Sequence, residues 1–221
     1  MYRIGLIINP IAGVGGSVGL KGSDGDAIVA EAKKRGAVPQ SGVRALRCLQ
    51  MLESEKNQLH FIVCPRAMGE EVLANLDYGY SVLPMSPVQS TGSSGPLVEN
   101  NNEWSALDTE KAVILMLEEK VDLIVFVGGD GTARNVFNAL SEKGEVQNQL
   151  VLGVPAGVKI HSGVYSVTPD AAAEIIGKLV RGEIVSLVEA EVRDIDEEAF
   201  RQGQVKARFY GELSVPAESV C

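Results

Sequence analysis

Short, almost continuously apolar runs alternate with longer stretches of helical periodicity along most of the chain. Continuous apolar runs are typical of strands buried on both faces, whereas apolar residues spaced three and four apart indicate amphipathic helices. The predicted strands are Ile4–Ile8, Leu59–Cys64, Tyr80–Leu83, Leu123–Val127 and Leu150–Val154. The predicted helices are Asp26–Arg35, Gly42–Glu53, Glu70–Leu76, Thr109–Lys120, Thr132–Glu142 and Asp170–Arg181. This alternation predicts an α/β fold, in which helices cover both faces of a parallel sheet.

The pattern changes after Arg181. Ile184–Val192 and Val205–Leu213 have the composition of β strands, and an acidic turn that starts at Asp194 separates them. We therefore expect residues 1–182 to form the α/β domain and residues 183–221 to begin a β-rich second domain. Because about 40 residues are fewer than the ~50 of an independent domain, we expect this second part to be truncated or completed by a partner.

The composition excludes several classes of function. The chain is 45% hydrophobic and 22% charged, which is ordinary for a soluble globular protein. Its formal net charge of −9 argues against a nucleic-acid partner, because a protein that binds a polyanion usually carries a basic excess. The longest apolar runs are far shorter than the ~18 residues of a membrane span, so no membrane association is expected.

The three cysteines favour a reducing compartment. Cys48, Cys64 and Cys221 are odd in number, widely spaced, and lack a CxxC pair. This spacing indicates neither a disulfide framework nor a zinc site. We therefore expect a cytoplasmic protein, and the sequence assigns no metal ligand.

Three glycine-rich or polar turns directly follow predicted strands, after Ile8, Val127 and Val154. The carboxyl ends of parallel strands meet at one edge of a sheet, and ligands of such sheets bind beyond that edge. The three turns are therefore expected to converge on one ligand site.

The turn after Val127 carries the chemistry that is easiest to interpret. Gly128, Gly129 and Gly131 let the backbone approach a ligand closely, and Thr132 is expected to cap the next helix, whose first N–H groups would face an anion. Asp130 could accept a proton from a hydroxyl group or hold a metal. The alternative is a plain strand–helix turn in which Asp130 only caps the helix.

Residues 128–132 resemble the GGDGT signature shared by NAD kinases, diacylglycerol kinases and sphingosine kinases. Two further stretches, residues 9–22 and 154–162, are similar to the ATP-NAD kinase branch that includes AcoX-like proteins. The similarity covers most of residues 1–213. It implies a Rossmann-like, phosphofructokinase-like sheet in a nucleotide-binding domain.

The resemblance also implies an activity, namely transfer of a phosphoryl group from ATP or inorganic polyphosphate to the 2′-hydroxyl of NAD. Asp130 would then be the general base or the group that orients the hydroxyl, and Gly128, Gly129, Gly131 and Thr132 would lie against phosphate or ribose. Mg²⁺ would help neutralise the phosphate charge. Family members are commonly homo-oligomers, and small-molecule nucleotides are the other expected partners.

Residues in the two other turns complete the expected binding site. Lys21 and Lys159 each follow a glycine-rich turn and are the candidate cations for phosphate contact, whereas the alternative for each is an ordinary solvated loop lysine. Gly13 belongs to the glycine-rich loop after the first strand. Asn9 could hydrogen-bond a phosphate or ribose, or merely close the Asn-Pro turn. Asp24 could hold a metal or cap a helix.

Other interpretations of the same residues remain open at this stage. His161 and Ser162 with Asp130 could suggest a hydrolytic triad, but Ser162 is not in a GxSxG elbow and neighbours His161 directly. The family's Asn-Glu pair follows the GGDGT turn, whereas the Asn-Glu pair here, residues 102–103, precedes it. A kinase for a lipid or another small alcohol, or a nucleotide-sensing protein without turnover, is therefore the alternative.

Overall fold

The computed structural model describes residues 1–13, 34, 36, 38–87, 104–157, 160–183, 186–195 and 206–217. The predicted helix over residues 26–35 and the long loop that contains residues 88–103 fall largely outside them.

Five parallel strands form the central sheet, as the apolar runs predict. They are β1 (Tyr2–Ile8), β2 (Leu59–Val63), β3 (Gly79–Val82), β4 (Leu123–Gly128) and β5 (Val151–Pro155). Their order is β3-β2-β1-β4-β5, so the chain builds outward from β1 in one direction and then in the other. The order reverses between β1 and β4, which is where open α/β sheets bind their ligands.

Helices cover both faces of this sheet. They are α1 (Ser41–Gln50), α2 (Glu70–Leu73), α3 (Ala106–Glu118), α4 (Asp130–Lys143) and α5 (Pro169–Val180). Two short 3₁₀ helices, Glu53–Gln58 and Arg66–Met68, join them. The apolar sides of α1 and α5 pack with one face of the sheet, and those of α3 and α4 pack with the other. The predicted α/β fold class is confirmed.

The start of α3 corrects one predicted boundary. The sequence places the helix start at Thr109, but the helix begins at Ala106 with Ser105 as its N-cap. Asp108 Oδ2 accepts hydrogen bonds from the Ser105 backbone N–H and from Ser105 Oγ, both at 2.7 Å. This capping box satisfies N–H groups that the helix itself leaves unpaired, so the helix gains a turn at its N-terminus.

A separate antiparallel hairpin follows the α/β unit. It consists of β6 (Ser186–Ile195) and β7 (Ala207–Ala217). Asp194 lies inside β6 rather than in a turn, so the predicted end of this strand at Val192 is wrong. The side chains of Val192, Leu213 and Val215 join the core cluster formed by α3, α4 and one face of the sheet. The division into two domains at residue 182 stays a prediction.

None of the helices in the described ranges is long and apolar enough to span a bilayer.

Candidate functional site

The carboxyl ends of β1, β4 and β5 meet at one edge of the sheet. In the strand register, Ile8 lies opposite Val127, and Gly128 lies opposite Pro155. The Asn9 N–H donates to the Val127 carbonyl at 3.0 Å, and the Ala156 N–H donates to the Gly128 carbonyl at 2.9 Å. The three turns therefore converge, and their first residues are fixed by the same hydrogen-bond ladder as the strands.

Asn9 ties the first turn to the second. Its side-chain Nδ2 donates to Thr132 Oγ1 at 2.9 Å, and its Oδ1 accepts from the Ile11 N–H at 3.1 Å. The side chain therefore both closes the Asn-Pro turn and crosses to α4. A direct contact of Asn9 with a ligand stays a prediction.

Gly13 holds the first turn against the third. Its φ is +78°, and a Cβ at this position would lie 2.3 Å from the Ala156 carbonyl oxygen. Only a residue without a side chain fits both the left-handed conformation and this close approach. Gly13 therefore brings the loop after β1 onto the loop after β5.

The N-cap of the helix that follows the GGDGT turn differs from the N-cap that the sequence predicts. The N-cap of α4 is Gly129, not Thr132, and no side chain in the described ranges caps this helix. The Gly129 carbonyl accepts hydrogen bonds from the N–H groups of Thr132 and Ala133, at 2.9 and 3.2 Å. Thr132 is instead buried in the first turn of the helix, beside Gly131, where its hydroxyl contacts Asn9.

The two first glycines of this turn have opposite surroundings. A Cβ on Gly128 would lie 2.3 Å from Thr132 Oγ1, so this position has no room for a side chain. A Cβ on Gly129 would meet no described atom within 4 Å. Gly128 therefore shapes the turn from the inside, whereas Gly129 has room for a side chain among the atoms that the structure describes.

Asp130 is the most constrained polar side chain of the site. It is the first residue of α4 and only 8% exposed. Its Oδ2 accepts hydrogen bonds from the backbone N–H of His161 at 2.8 Å and from His161 Nδ1 at 2.9 Å. Its Oδ1 accepts from the Ser162 N–H at 3.0 Å. The carboxylate is therefore fixed by the loop after β5.

The sequence names His161 and Asp130 together only as part of a triad with Ser162, and it does not predict that the two contact each other as a pair. The two residues are 31 positions apart, and adjacency to Ser162 drew attention to a triad instead. Ser162 Oγ donates to the Arg193 carbonyl at 2.7 Å and accepts from the Arg193 N–H at 3.0 Å. The serine hydroxyl thus pairs with β6 and not with the imidazole, so the three residues do not form a hydrolytic triad.

Tyr165 fixes the N-cap of α4 from the other side and was also missed. Its hydroxyl donates to the Gly129 carbonyl at 2.5 Å, and its ring packs edge-on against Phe126 with centroids 5.2 Å apart. Burial raises the pKa of Tyr165 well above its ordinary value, and the negative charges of Asp130 and Asp194 raise it further. The hydroxyl therefore stays protonated and keeps donating.

The hairpin is joined to the site through α4. Arg134 lies one turn after Asp130 in α4. Its guanidinium Nη1 lies 2.7 Å from Asp194 Oδ2, and the Asp194 side chain is 5% exposed. The Arg134 guanidinium also lies over the Tyr210 ring, 5.8 Å from its centroid. Because β6 also holds Ser162 through Arg193, the hairpin supports both the helix and the loop that position the Asp130 carboxylate.

Some predicted site residues cannot be placed. Lys21, Asp24 and Lys159 lie outside the described residues, as does the pair at 102–103. Within the described ranges, no three His, Cys, Asp or Glu residues cluster closely enough to hold a metal ion. These residues therefore do not build a Mg²⁺ cage of their own, and Mg²⁺ usually reaches such sites with substrate phosphates.

The fold and this edge define a class of protein, a parallel α/β domain with a glycine-rich turn that places a helix N-terminus at the switch point of the sheet. Residues 4–184 match the family model described as the ATP-NAD kinase N-terminal domain. This match covers more than half of the chain, so the protein belongs to the ATP-NAD kinase family and is a kinase of that family. The search of curated proteins found no match.

Proposed function

We propose that this protein transfers the γ-phosphoryl group of ATP to the 2′-hydroxyl of the adenosine ribose of NAD. The observation that carries the proposal is the buried Asp130 carboxylate, fixed at the N-terminus of α4 where the strand order reverses. Membership of the ATP-NAD kinase family supports this choice of donor and acceptor.

The geometry of the turn suits a phosphorylated ligand. Helix α4 has no side-chain cap in the described ranges, and its N-terminus carries a partial positive charge that favours an anion. Among the described atoms, none would obstruct close approach of a ligand to Gly129. Since phosphoryl transfer depends mainly on positioning and charge neutralisation, backbone N–H groups can supply much of what it requires.

The remaining positive charge has to come from elsewhere. Lys21 and Lys159 are the lysines that we propose for phosphate contact, because each follows a turn that belongs to this edge. Mg²⁺ bound to the ATP phosphates would neutralise part of their charge. Inorganic polyphosphate presents the same chain of phosphates and is the alternative donor.

The direct test is NADP formation by the full chain. A coupled dehydrogenase assay would follow NADP with NAD as acceptor and either ATP or polyphosphate as donor. We expect turnover with at least one donor. Absence of NADP with both donors would contradict the proposal, and calorimetric binding of NAD or ATP without turnover would favour a nucleotide sensor.

We also propose a cytoplasmic homo-oligomer. The described cysteines, Cys48 and Cys64, are buried and free, as expected in a reducing compartment. Light scattering coupled to size-exclusion chromatography measures the mass directly, and a monomer mass near 23.5 kDa would contradict the oligomer.

A further inference from the structure

The Asp130 carboxylate is poorly placed to take a proton from a substrate by itself. Both of its oxygens already accept backbone N–H groups, from His161 and Ser162, and the side chain is 7% exposed. The His161 imidazole that contacts it is 38% exposed. The exposed end of this pair is therefore the imidazole and not the carboxylate.

The hydrogen bonds decide which nitrogen of His161 carries the proton. Both Asp130 oxygens accept backbone N–H groups, and an ionised carboxylate can only accept hydrogen bonds. Nδ1 lies 2.9 Å from Oδ2 and must therefore donate. In a neutral imidazole, Nε2 then has a free lone pair.

The other polar side chains that the structure describes at this edge already have hydrogen-bond partners. Asn9 and Thr132 bond each other, Ser162 bonds the backbone of β6, and Tyr165 donates to the Gly129 carbonyl. No hydrogen bond to His161 Nε2 arises from the part of the chain that the structure describes. Within that part, Nε2 is the basic atom at this edge that still has a lone pair to offer.

We propose that His161 Nε2 is the proton acceptor for the substrate hydroxyl, and that Asp130 is the residue that positions and charges it. This inference rests on the proposed function and assigns the roles within it. His161 would be the catalytic residue, and Asp130 would act through it.

Proton transfer to His161 accompanies phosphoryl transfer in this step. The hydroxyl oxygen bonds to the γ-phosphorus of the nucleoside triphosphate while its proton moves to His161 Nε2. The bond from the γ-phosphorus to the bridging oxygen breaks, and its electron pair leaves with the nucleoside diphosphate. The imidazolium formed is paired with the Asp130 carboxylate, and it returns the proton to water after the transfer.

One substitution separates the roles of the two nitrogens in the His161 ring. His161→Asn places an amide N–H where Nδ1 was, so the hydrogen bond to Asp130 is kept and the base is lost. We expect kcat to fall about 10²- to 10⁴-fold, with binding of ATP and NAD changed by less than about threefold. His60→Asn is the matched control, since His60 is the other histidine of the chain and lies near the amino end of β2.

Chemical rescue by imidazole distinguishes a catalytic role of His161 from a structural one, because a variant with only a structural defect would not recover turnover. The exposed imidazole site of His161→Gly can be refilled by free imidazole. We expect at least a tenfold, saturable recovery of kcat in His161→Gly, and no recovery in Asp130→Asn. Turnover of His161→Asn within about threefold of wild type, or failure of imidazole to rescue, overturns the inference while the kinase activity stands.

The tautomer of His161 can be measured without turnover. Long-range ¹H–¹⁵N spectra of the nucleotide-free protein contain only two imidazoles, and His60, whose Nε2 lies 2.9 Å from Ser81 Oγ, serves as the internal reference. We expect His161 to carry its proton on Nδ1 in the wild type and on Nε2 in Asp130→Asn. An Nε2-protonated ring in the wild type overturns the inference. Absence of turnover in the wild type, by contrast, removes the proposed function and this inference together.

Discussion

At the residue scale, the site depends on a few positions where one atom more or less changes the geometry. A Cβ on Gly13 or Gly128 would lie less than 3 Å from another atom, whereas a Cβ on Gly129 would meet no described atom within 4 Å. Asp130 is constrained by hydrogen bonds and not by lack of space, because its two oxygens accept from three donors of the loop after β5. Asp130 and Gly128 each give a prediction that has a matched control variant.

Asp130→Asn is expected to abolish phosphoryl transfer while leaving nucleotide binding largely intact. The amide has nearly the same shape as the carboxylate, but it lacks the charge that supports proton transfer, and its nitrogen cannot accept one of the N–H groups that the carboxylate accepts. We expect kcat to fall by a factor of about 10² or more, and the dissociation constants of ATP and NAD to change by a few-fold. Steady-state kinetics with calorimetry measure both.

The matched control is Asp77→Asn, because the Asp77 side chain is 90% exposed and pairs only at the surface with Lys56. It should leave both quantities unchanged. If Asp130→Asn retained near-normal turnover, Asp130 would have neither the catalytic nor the positioning role.

Gly128→Ala and Gly129→Ala should distinguish two roles of the glycines, namely the shape of the turn and the room it leaves for a ligand. In Gly128→Ala the new methyl group would lie 2.3 Å from Thr132 Oγ1, so the turn must shift. We expect the free energy of unfolding to fall by about 1–3 kcal/mol, the usual cost of overpacking. Urea denaturation measures this change.

Gly129→Ala meets no described atom within 4 Å and has an ordinary φ of −125°, so stability should change by less than about 1 kcal/mol. If phosphate approaches this N-terminus, the same methyl group should nevertheless weaken ATP binding. A large loss of stability in Gly129→Ala would show that the turn is not as open as described.

At the scale of elements, the N-terminus of α4 is the part that the site depends on most. Asn9, from the turn after β1, contacts this N-terminus. Tyr165 and the His161–Ser162 loop, from the chain after β5, also contact it. Each of these contacts crosses from one element to another. The first turn of α4 is therefore positioned by its neighbours as much as by its own sequence.

Tyr165→Phe tests one of these contacts through pH. Burial and the nearby carboxylates raise the pKa of Tyr165 well above its ordinary value near 10. The unfolded chain therefore loses this proton at a lower pH than the folded chain. Stability from this group is fully present below about pH 10 and is lost as pH rises above it.

We expect the free energy of unfolding to decline above about pH 10 in the wild type, and to decline less steeply in Tyr165→Phe. Below that pH, loss of the hydrogen bond to Gly129 should cost about 1 kcal/mol. Urea denaturation at several pH values measures both effects. The two proteins having the same slope above pH 10 would contradict the assignment.

The sequence predicts the elements well and their ends less well, for a physical reason. Strands such as Leu123–Gly128 are recognisable because every side chain is buried, and burial is visible as a continuous apolar run. The end of β6 is not, because Asp194 is stabilised inside the strand by Arg134 on α4. That pairing spans 60 positions, so a local pattern cannot contain it.

The candidate site likewise has features that the sequence predicts and features that it does not. Convergence of the three turns follows from parallel strands alone, and the glycines and Asp130 follow from the motif. The partner of Asp130 does not, because His161 is brought to it by the path of the loop after β5. The sequence does contain a signal, namely a histidine in one of the converging turns. That position indicates that His161 lies near the site, but it does not indicate that the ring contacts Asp130.

At the scale of the whole molecule, the hairpin and the α/β unit share a core. Val192, Leu213 and Val215 are buried with residues of the sheet, and a Cβ on Gly211 would lie 2.3 Å from the Phe137 ring of α4. The predicted division at residue 182 treats these parts as separate domains. Their common core suggests that they unfold together.

Leu213→Ala decides between these two views. Leu213 is fully buried, so the substitution should cost about 2–5 kcal/mol through lost burial and a cavity. If the hairpin and the α/β unit are one cooperative unit, this loss lowers the unfolding midpoint of both. Trp104, the single tryptophan, packs against the same core cluster and reports on the α/β unit by fluorescence.

Hydrogen exchange supplies the comparison between the two parts. With one unit, amides of β4 and β7 lose protection by the same amount in Leu213→Ala. With two domains, β7 loses protection while β4 and the Trp104 transition stay as in the wild type. Val188→Ala is the control on the same hairpin, since Val188 is 43% exposed and its loss should cost little. A single shared shift would mean that the hairpin supports the first turn of α4 thermodynamically as well as by contact.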